Sequence, residues 1–169
     1  MNTNSSSDLS GKKVILALFG IPVLLGAWWA FRPEKLFINQ KVNEAVPASL
    51  SSEPEALYTG KLEGKAHQTS GRATIYKSPD GMQYLRLTDF TTSNGPDVHV
   101  ILVTTKDAMD DANFLKDNTD KVELGKLKGN EGDQNYEIPA GTDLTKFRTV
   151  SVYCERFNAN FGAAPLEKF

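Results

Sequence analysis

From residue 57 onward the chain alternates short runs of apolar and β-branched residues with turn residues. This pattern is typical of an all-β fold, because each strand turns one face to the core and each turn needs residues such as Gly, Pro, Asn or Asp. We therefore predict an all-β domain, an antiparallel β-sandwich or barrel of about 7–9 strands. The candidate strands are residues 58–67, 73–77, 82–90, 98–104, 121–124, 135–138 and 149–155.

Two of these runs carry additional signals. Residues 78–81, Ser-Pro-Asp-Gly, have proline and glycine where a type I turn prefers them, which predicts a hairpin between the second and third strands. Residues 98–103 are apolar at nearly every position, which suits a strand covered on both faces. The helical candidates in this part of the chain are residues 107–115 and a single turn at residues 143–147.

The strongest apolar stretch is residues 14–31, VILALFGIPVLLGAWWAF, which contains no charged residue. As a helix it is about 27 Å long, close to the hydrocarbon thickness of a bilayer. A cleaved secretory signal is the alternative, but the run is long for a signal and ends in the bulky Trp28, Trp29 and Phe31. We predict one uncleaved transmembrane helix that places Val14–Phe31 in the lipid bilayer.

The segments around this helix define the predicted organisation. Residues 1–13 are a short polar tail, which we expect on the cytoplasmic side although the flanking lysines and arginine give only a weak charge bias. Residues 32–55 contain three prolines and clustered serines and are predicted to be a tether, with a short helix within residues 34–46 left open. The β domain, residues 56–169, then lies outside the cytoplasm.

Composition limits the classes of partner. A chain of 169 residues with a net charge of -2 is long enough for one domain with appendages and has no basic surface signature, so nucleic acid is not an expected partner. A redox partner or a partner in the cell envelope is expected, but the sequence does not identify it.

Cys154 is the only cysteine, and it lies at the end of the last predicted strand. Val150, Val152 and Cys154 share one strand face, so the thiol belongs to the apolar face and one interpretation is a small side chain that fills the core. The other interpretation is a reactive thiol. Arg156 lies nearby, where a cation favours thiolate, and a single cysteine in an oxidising compartment has no intrachain disulfide partner.

Two histidines are candidates for supporting roles. His99 shares a strand face with Asp97 and Ile101, so it is either a buried imidazole held by a hydrogen bond or a ligand or base oriented by Asp97. His67 lies in a turn region rich in Gly, Ser and Thr, where we expect an exposed side chain, with a ligand role as the alternative.

Several kinds of site lack the residues that they require. No histidine or methionine follows Cys154, as a blue-copper site needs, and the Cys-x-x-Cys-His motif of covalent haem is absent. Zinc-type cysteine clusters and the usual hydrolase signatures are also missing, and the sequence does not decide whether the chain is an enzyme. The acidic residues between positions 107 and 120 lack EF-hand spacing and are interpreted as a solvated loop.

Four segments of the predicted β domain carry a further signal: residues 64–71 (GKAHQTSG), 92–100 (TSNGPDVHV), 128–136 (KGNEGDQNY) and 153–166. Together they resemble the DM-thirteen domain, which also occurs in Skeletor-type animal proteins. The resemblance extends over residues 57–166. It implies a role in electron transfer, with Cys154 at the position of the family's characteristic cysteine, as a bare thiol or as the residue that holds a prosthetic group such as haem.

The leading hypothesis is thus a single-pass membrane protein whose β domain carries out redox chemistry or cofactor ligation through Cys154, with Asp97 and His99 as supporting groups and His99 or His67 as a second ligand. Reversible oxidation of a free thiolate, ligation of a haem or metal, and an intermolecular disulfide are the three forms of this hypothesis. The alternative is a non-catalytic β-sandwich that binds an envelope glycan or a partner protein while Cys154 packs in the core.

Overall fold

A computed structural model of the chain describes residues 20–26, 29, 38–50, 54–105 and 120–169. The chain divides into two compact units, Met1–Phe37 and Ile38–Phe169. In the first unit, residues 20–26 and Trp29 are helical, and Val23, Leu24 and Leu25 are exposed. None of the helices in the described ranges has both the length and the apolar character needed to cross a membrane. Most of the predicted transmembrane helix, the predicted tail at residues 1–13 and the candidate helix at residues 107–115 lie outside the described residues.

The second unit is an all-β structure of two antiparallel five-stranded sheets. One sheet has the strand order β10-β1-β3-β4-β7 and the other has the order β2-β9-β8-β5-β6. The strands are β1 Glu55–Lys61, β2 Glu63–Gly64, β3 Ser70–Lys77, β4 Gln83–Thr91, β5 Val98–Val103, β6 Lys121–Lys126, β7 Gln134–Ile138, β8 Thr149–Cys154, β9 Ala159–Pro165 and β10 Glu167–Lys168.

A shared apolar core holds the two sheets together as a sandwich. Ile75 and Leu85 from the first sheet and Val100 and Val152 from the second are completely buried in the same cluster. The second sheet is also covered on its outer face, because all six residues of β5 and all six of β8 are buried. The prediction of a doubly covered strand at residues 98–103 is therefore confirmed.

The hairpin between β3 and β4 has the predicted turn. The amide of Gly81 donates to the carbonyl of Ser78 at 2.9 Å, and Gly81 takes a φ of 89°, which glycine adopts without a steric penalty. The turn at residues 143–147 also forms, because the amide of Lys146 donates to the carbonyl of Asp143 at 3.1 Å. In both turns the local sequence is sufficient to specify the backbone.

The first and last strand regions differ from the prediction. The predicted strand at residues 58–67 is interrupted at the buried Leu62, where the chain leaves the first sheet at β1 and enters the second as β2. Two strands were not predicted: β9, which pairs with β8 in the middle of the second sheet, and the short β10, which pairs with β1. The β domain therefore contains more strands, and more crossing between sheets, than the sequence pattern indicated.

The predicted tether also differs, because its residues 38–46 are bound to the β domain. We call this part the docking segment. Val42 donates its amide to the carbonyl of Glu131, and Glu44 donates its amide to the carbonyl of Asp133, both at 2.9 Å. The described part of the predicted short helix is not helical, and a 3-10 turn follows at Ala48–Leu50. The compact unit thus begins at Ile38 instead of residue 56.

Glu44 is a charged residue of the docking segment that binds the β domain through its side chain. Its carboxylate accepts hydrogen bonds from Lys128 Nζ at 2.7 Å and from the amide of Asn135 at 2.7 Å. Burial by itself raises the pKa of Glu44, but the hydrogen bonds from Lys128 and Asn135 outweigh burial and hold its pKa below the ordinary value of 4.5. A carboxyl group with a lowered pKa stabilises the folded state above the unfolded pKa, and this stabilisation is lost as the pH falls through the folded pKa.

We predict that Glu44→Gln lowers the free energy of unfolding at pH 7 by about 1 kcal/mol, since a partly exposed charged hydrogen-bond acceptor is removed. The difference from wild type should shrink as the pH falls below 4.5, because wild type then loses the same charge. Urea unfolding at pH 7 and pH 3.5 measures the difference in the free energy of unfolding. Faster hydrogen exchange at the Asn135 amide in the variant would show that the lost hydrogen bond is the one from this amide to Glu44. Glu137→Gln, at an exposed position of β7, is the matched control, and an equal loss in both variants would contradict the assignment.

Candidate functional site

Strands β5 and β8 place the predicted site residues on opposite faces of one sheet. They are antiparallel neighbours, with Val98 opposite Cys154 and His99 opposite Tyr153. Side chains alternate along a strand, so Cys154 lies with Val98 on the core face while His99 lies on the other. The sheet therefore lies between Cys154 and the imidazole of His99, which we predicted from the sequence to support the thiol.

Cys154 lies in the core between the two sheets. Its exposure is 0%, and it belongs to the same buried cluster as Val100, Val152 and Phe161. The predicted parity of β8 is confirmed, because Val150, Val152 and Cys154 are all members of this cluster. The packing shields the thiol from solvent, from oxidants and from other thiols.

His99 lies between two carboxylates on the outer face of the second sheet. Its Nδ1 is 2.6 Å from Glu123 Oε1, and its Nε2 is 3.1 Å from Asp97 Oδ1. A carboxylate only accepts hydrogen bonds, so both contacts are hydrogen bonds when the ring carries both protons. The expected pairing of Asp97 with His99 is present, and the ring is also held by Glu123.

Hydrogen bonds and neighbouring charges shift the pKa values of His99 and Asp97 in opposite directions. Burial by itself lowers the pKa of His99, but the hydrogen bonds to Glu123 and Asp97 and the negative charge of Glu155 raise it above its ordinary value. The pKa of Asp97 is lowered, first by its hydrogen bond from Lys126 and then by His99. Lys126 Nζ lies 3.0 Å from Asp97 Oδ1. The result is an ion network in which Asp97 and His99 stabilise each other's charged form.

Glu155, which follows the end of β8, is the third residue with a metal-ligand atom close to Asp97 and His99. One ligand atom from each of Asp97, His99 and Glu155 lies within 4.8 Å of the other two. The backbone joins the two segments at this point, because the amide of Glu155 donates to the carbonyl of Asp97 at 3.0 Å. Lys121 Nζ is 3.3 Å from Glu155 Oε1, so this carboxylate is also ion-paired.

Sequence reasoning did not identify Glu123 and Glu155 as members of the site. Glu123 reaches His99 only through the register of β6 against β5, which shifts between Val100 and Ile101. Glu155 follows Cys154 directly after the end of β8. The sequence shows that both residues are acidic and can bind a cation or an imidazole. It does not show the strand register that brings them to His99.

His67 lies apart from this group. It is half-buried, and its ring stacks against Phe161 with a distance of 3.9 Å between ring centroids. Phe161 in turn belongs to the core cluster of Cys154. The expected exposed side chain is therefore partly covered by an aromatic contact.

The arrangement around Cys154 does not fit a haem. An iron bound to Cys154 Sγ would place the macrocycle where Val100, Val152 and Phe161 now pack, and these residues are at most 1% exposed. His99, one of the two candidate second ligands, is on the opposite face of the sheet. As folded, the sandwich offers the thiol an apolar enclosure and no second ligand from His99.

Fold and site together define a β-sandwich domain with one enclosed thiol and one surface group of a histidine with three carboxylates. A family model described as "Electron transfer DM13" matches residues 61–166 of the chain. The chain therefore belongs to this family, the DM-thirteen family, and the expected resemblance is confirmed for the domain. Neither the curated proteins nor the solved structures contain a match to the chain.

We predict that Cys154→Ser lowers the free energy of unfolding by about 1–3 kcal/mol, because a buried hydroxyl group in an apolar cluster lacks a hydrogen-bond partner. Cys154→Ala removes the sulfur without adding a polar group, so its loss should be smaller. Urea unfolding of both variants measures the difference. A Cys154→Ser variant as stable as Cys154→Ala would contradict the enclosure of this side chain.

Proposed function

We propose that this chain is an electron-transfer protein whose β domain works outside the cytoplasm and is held at a membrane by residues 14–31. The observation that carries this proposal is the match of residues 61–166 to an electron-transfer family. The membrane part is supported by the sequence, because residues 14–31 are uncharged and about as long as the hydrocarbon core of a bilayer. An outward-facing domain would meet an oxidising compartment, in which a lone thiol must be protected.

Cys154 is the proposed redox group, acting as a thiol without a cofactor. Because its side chain is completely buried, a partner can reach the sulfur only after a local opening of the fold. β8 ends at Cys154, and the next four residues, 155–158, form an exposed turn before β9 begins. Opening this end of the β8–β9 hairpin would expose the sulfur while the rest of the sandwich stays folded.

The chemistry available to an opened thiol is exchange with disulfides. The Cys154 thiolate attacks one sulfur of a partner's disulfide, a mixed disulfide forms, and the second sulfur of the partner leaves as thiolate. Attack by a thiol reductant on the mixed disulfide then releases Cys154 as thiolate and leaves the reductant joined to the partner. Electrons thus pass from the reductant to the partner's disulfide, and Cys154 returns to its starting state.

The proposal predicts that a thiol reagent labels the folded chain slowly, through a local opening. The labelling rate should depend on urea much less steeply than global unfolding does, because a local opening exposes less surface. The assay is specific because Cys154 is the only cysteine, and Cys154→Ala gives the blank. If Cys154 is labelled only when the whole domain unfolds, the proposed thiol mechanism is wrong.

If Cys154 acts without a cofactor, the protein should have no visible absorption band. The visible absorption spectrum of the full chain purified from its native membrane, measured beside Cys154→Ala, tests this. An absorption band that is present in the wild type and lost in Cys154→Ala would contradict the proposal in favour of thiolate ligation.

The proposed anchor predicts that a chain lacking residues 1–31 is released from membranes by carbonate washing, whereas the full chain is retained. The shortened chain keeps the compact unit intact, since that unit begins at Ile38. Deletion of residues 1–11, a stretch rich in Ser and Asn, is the matched control and should leave membrane retention unchanged. Retention of the chain without residues 1–31 would exclude a single span as the anchor.

A second candidate function, binding without electron transfer, is favoured by a polar cleft. The cleft has a volume of about 450 Å³ and is lined by Gln68, Ser70, Thr91 and Ser93, among others. Hydroxyl and amide side chains of this kind suit the hydrogen-bonding groups of a glycan. In this case Cys154 only packs, and thiol labelling would follow global unfolding.

A further inference from the structure

The group of residues around His99 has the composition of a metal site. Asp97 and Glu155 offer carboxylate oxygens, His99 offers a ring nitrogen, and these three atoms lie within 4.8 Å of one another. Ligand atoms bound at about 2.1 Å to one tetrahedral ion lie about 3.4 Å apart. Side-chain rotations that bring the three atoms closer to one another by at most about 1.4 Å would therefore place them at bonding distance.

Glu123 gives His99 the orientation of a metal ligand. Histidine ligands usually donate the N–H of the nitrogen that does not bind the metal to a carboxylate, which fixes the tautomer and the ring. Here Nδ1 lies 2.6 Å from Glu123 Oε1, and the side chain of His99 is only 7% exposed. Nε2, next to Asp97, is then the nitrogen available to an ion, which would replace the proton between Nε2 and Asp97 Oδ1.

The backbone around these ligands is fixed by strand pairing. Val98, between Asp97 and His99, is opposite Cys154, which precedes Glu155. The hydrogen bond from the Glu155 amide to the Asp97 carbonyl joins the same two segments. His99 is therefore within the paired strands, and Asp97 and Glu155 directly adjoin them, which lowers the cost of assembling the site.

Two lysines now neutralise the carboxylates, and both can move away. Lys126 bonds to Asp97 and is 74% exposed, and Lys121 bonds to Glu155 and is 40% exposed. Exposed ion pairs of this kind contribute little free energy, so an ion with two charges can replace them. The side chain of Glu155 is also 40% exposed, which leaves the group accessible from solvent.

We propose that Asp97, His99 and Glu155 bind a divalent transition-metal ion, with Glu123 as the residue that orients the imidazole. One imidazole with two carboxylates suits ions such as zinc, iron, manganese or cobalt better than calcium or magnesium, which prefer oxygen ligands alone. Three protein ligands leave coordination positions for water or a substrate, as in catalytic sites and unlike closed structural sites. The site is distinct from the Cys154 thiol of the proposed function and does not depend on it.

The test is a titration of the full chain, purified in detergent and stripped with a chelator, with cobalt(II) alone. Visible absorption of the bound ion and calorimetry report the affinity. His99→Gln should abolish the absorption band, and Glu123→Gln should weaken binding about 10- to 100-fold. Glu155→Gln should weaken binding about tenfold or more, and because Glu155 lies in an exposed turn, this variant separates loss of the site from loss of the fold.

Two further variants make the test specific. Lys126→Gln frees Asp97 and should tighten binding about threefold, whereas a purely structural ion network would show no such gain. His67→Gln changes the other histidine of the chain and should leave the affinity unchanged. The proposal is overturned if wild type binds cobalt no more tightly than His99→Gln, or if His67→Gln loses as much affinity as His99→Gln.

Discussion

The antiparallel pairing of β5 with β8 is the constraint on which the rest of the structure depends. Both strands are buried along their whole length, so every side chain must find an apolar or hydrogen-bonded environment on one of two covered faces. The register, with Val98 opposite Cys154, decides which face each side chain meets. A slip of one residue along β8 would move its thiol to the face of His99 and bring Tyr153 into the core.

This pairing gives one sheet two chemically different faces. The core face is apolar and encloses the single thiol. The outer face carries a smaller apolar cluster and also polar groups that are buried but hydrogen-bonded. Ser151 and Asn160, for example, bond to each other at 2.9 Å, and His99 bonds to Asp97 and Glu123. An enclosed thiol and a charged group near solvent can therefore coexist within one strand pair.

The sequence predicts those parts of the fold that local patterns determine. A few adjacent residues are enough to predict the face of β8 on which Cys154 lies and the burial of both faces of β5. The same holds for the turn at residues 78–81. β9 was not predicted because its sequence, ANFGAAP, is rich in alanine and glycine, which are depleted in strands. Small residues are nevertheless required there: a Cβ on Gly162 would lie 2.5 Å from the Cβ of Thr69.

The unpredicted part of the site and of the tether depends on contacts between distant residues. Glu123 faces His99 only because of an irregular register between β5 and β6. The docking segment binds through polar hydrogen bonds, such as those of Glu44 with Lys128 and Asn135, and therefore has no apolar periodicity to reveal it. Prolines and serines in a sequence indicate a lack of regular structure, which is compatible with either a free or a bound segment.

The docking segment has a further consequence for the outermost strands of the two sheets. An open strand edge is a template for another chain, and the four edges here are β10, β7, β2 and β6. β2 and β10 have two residues each, β6 carries Lys121 and Lys126 at its ends, and β7 offers the Asn135 amide, which Glu44 occupies. The sandwich is thereby protected against edge-to-edge polymerisation, a hazard that grows with local concentration, and residues outside the predicted domain supply part of that protection.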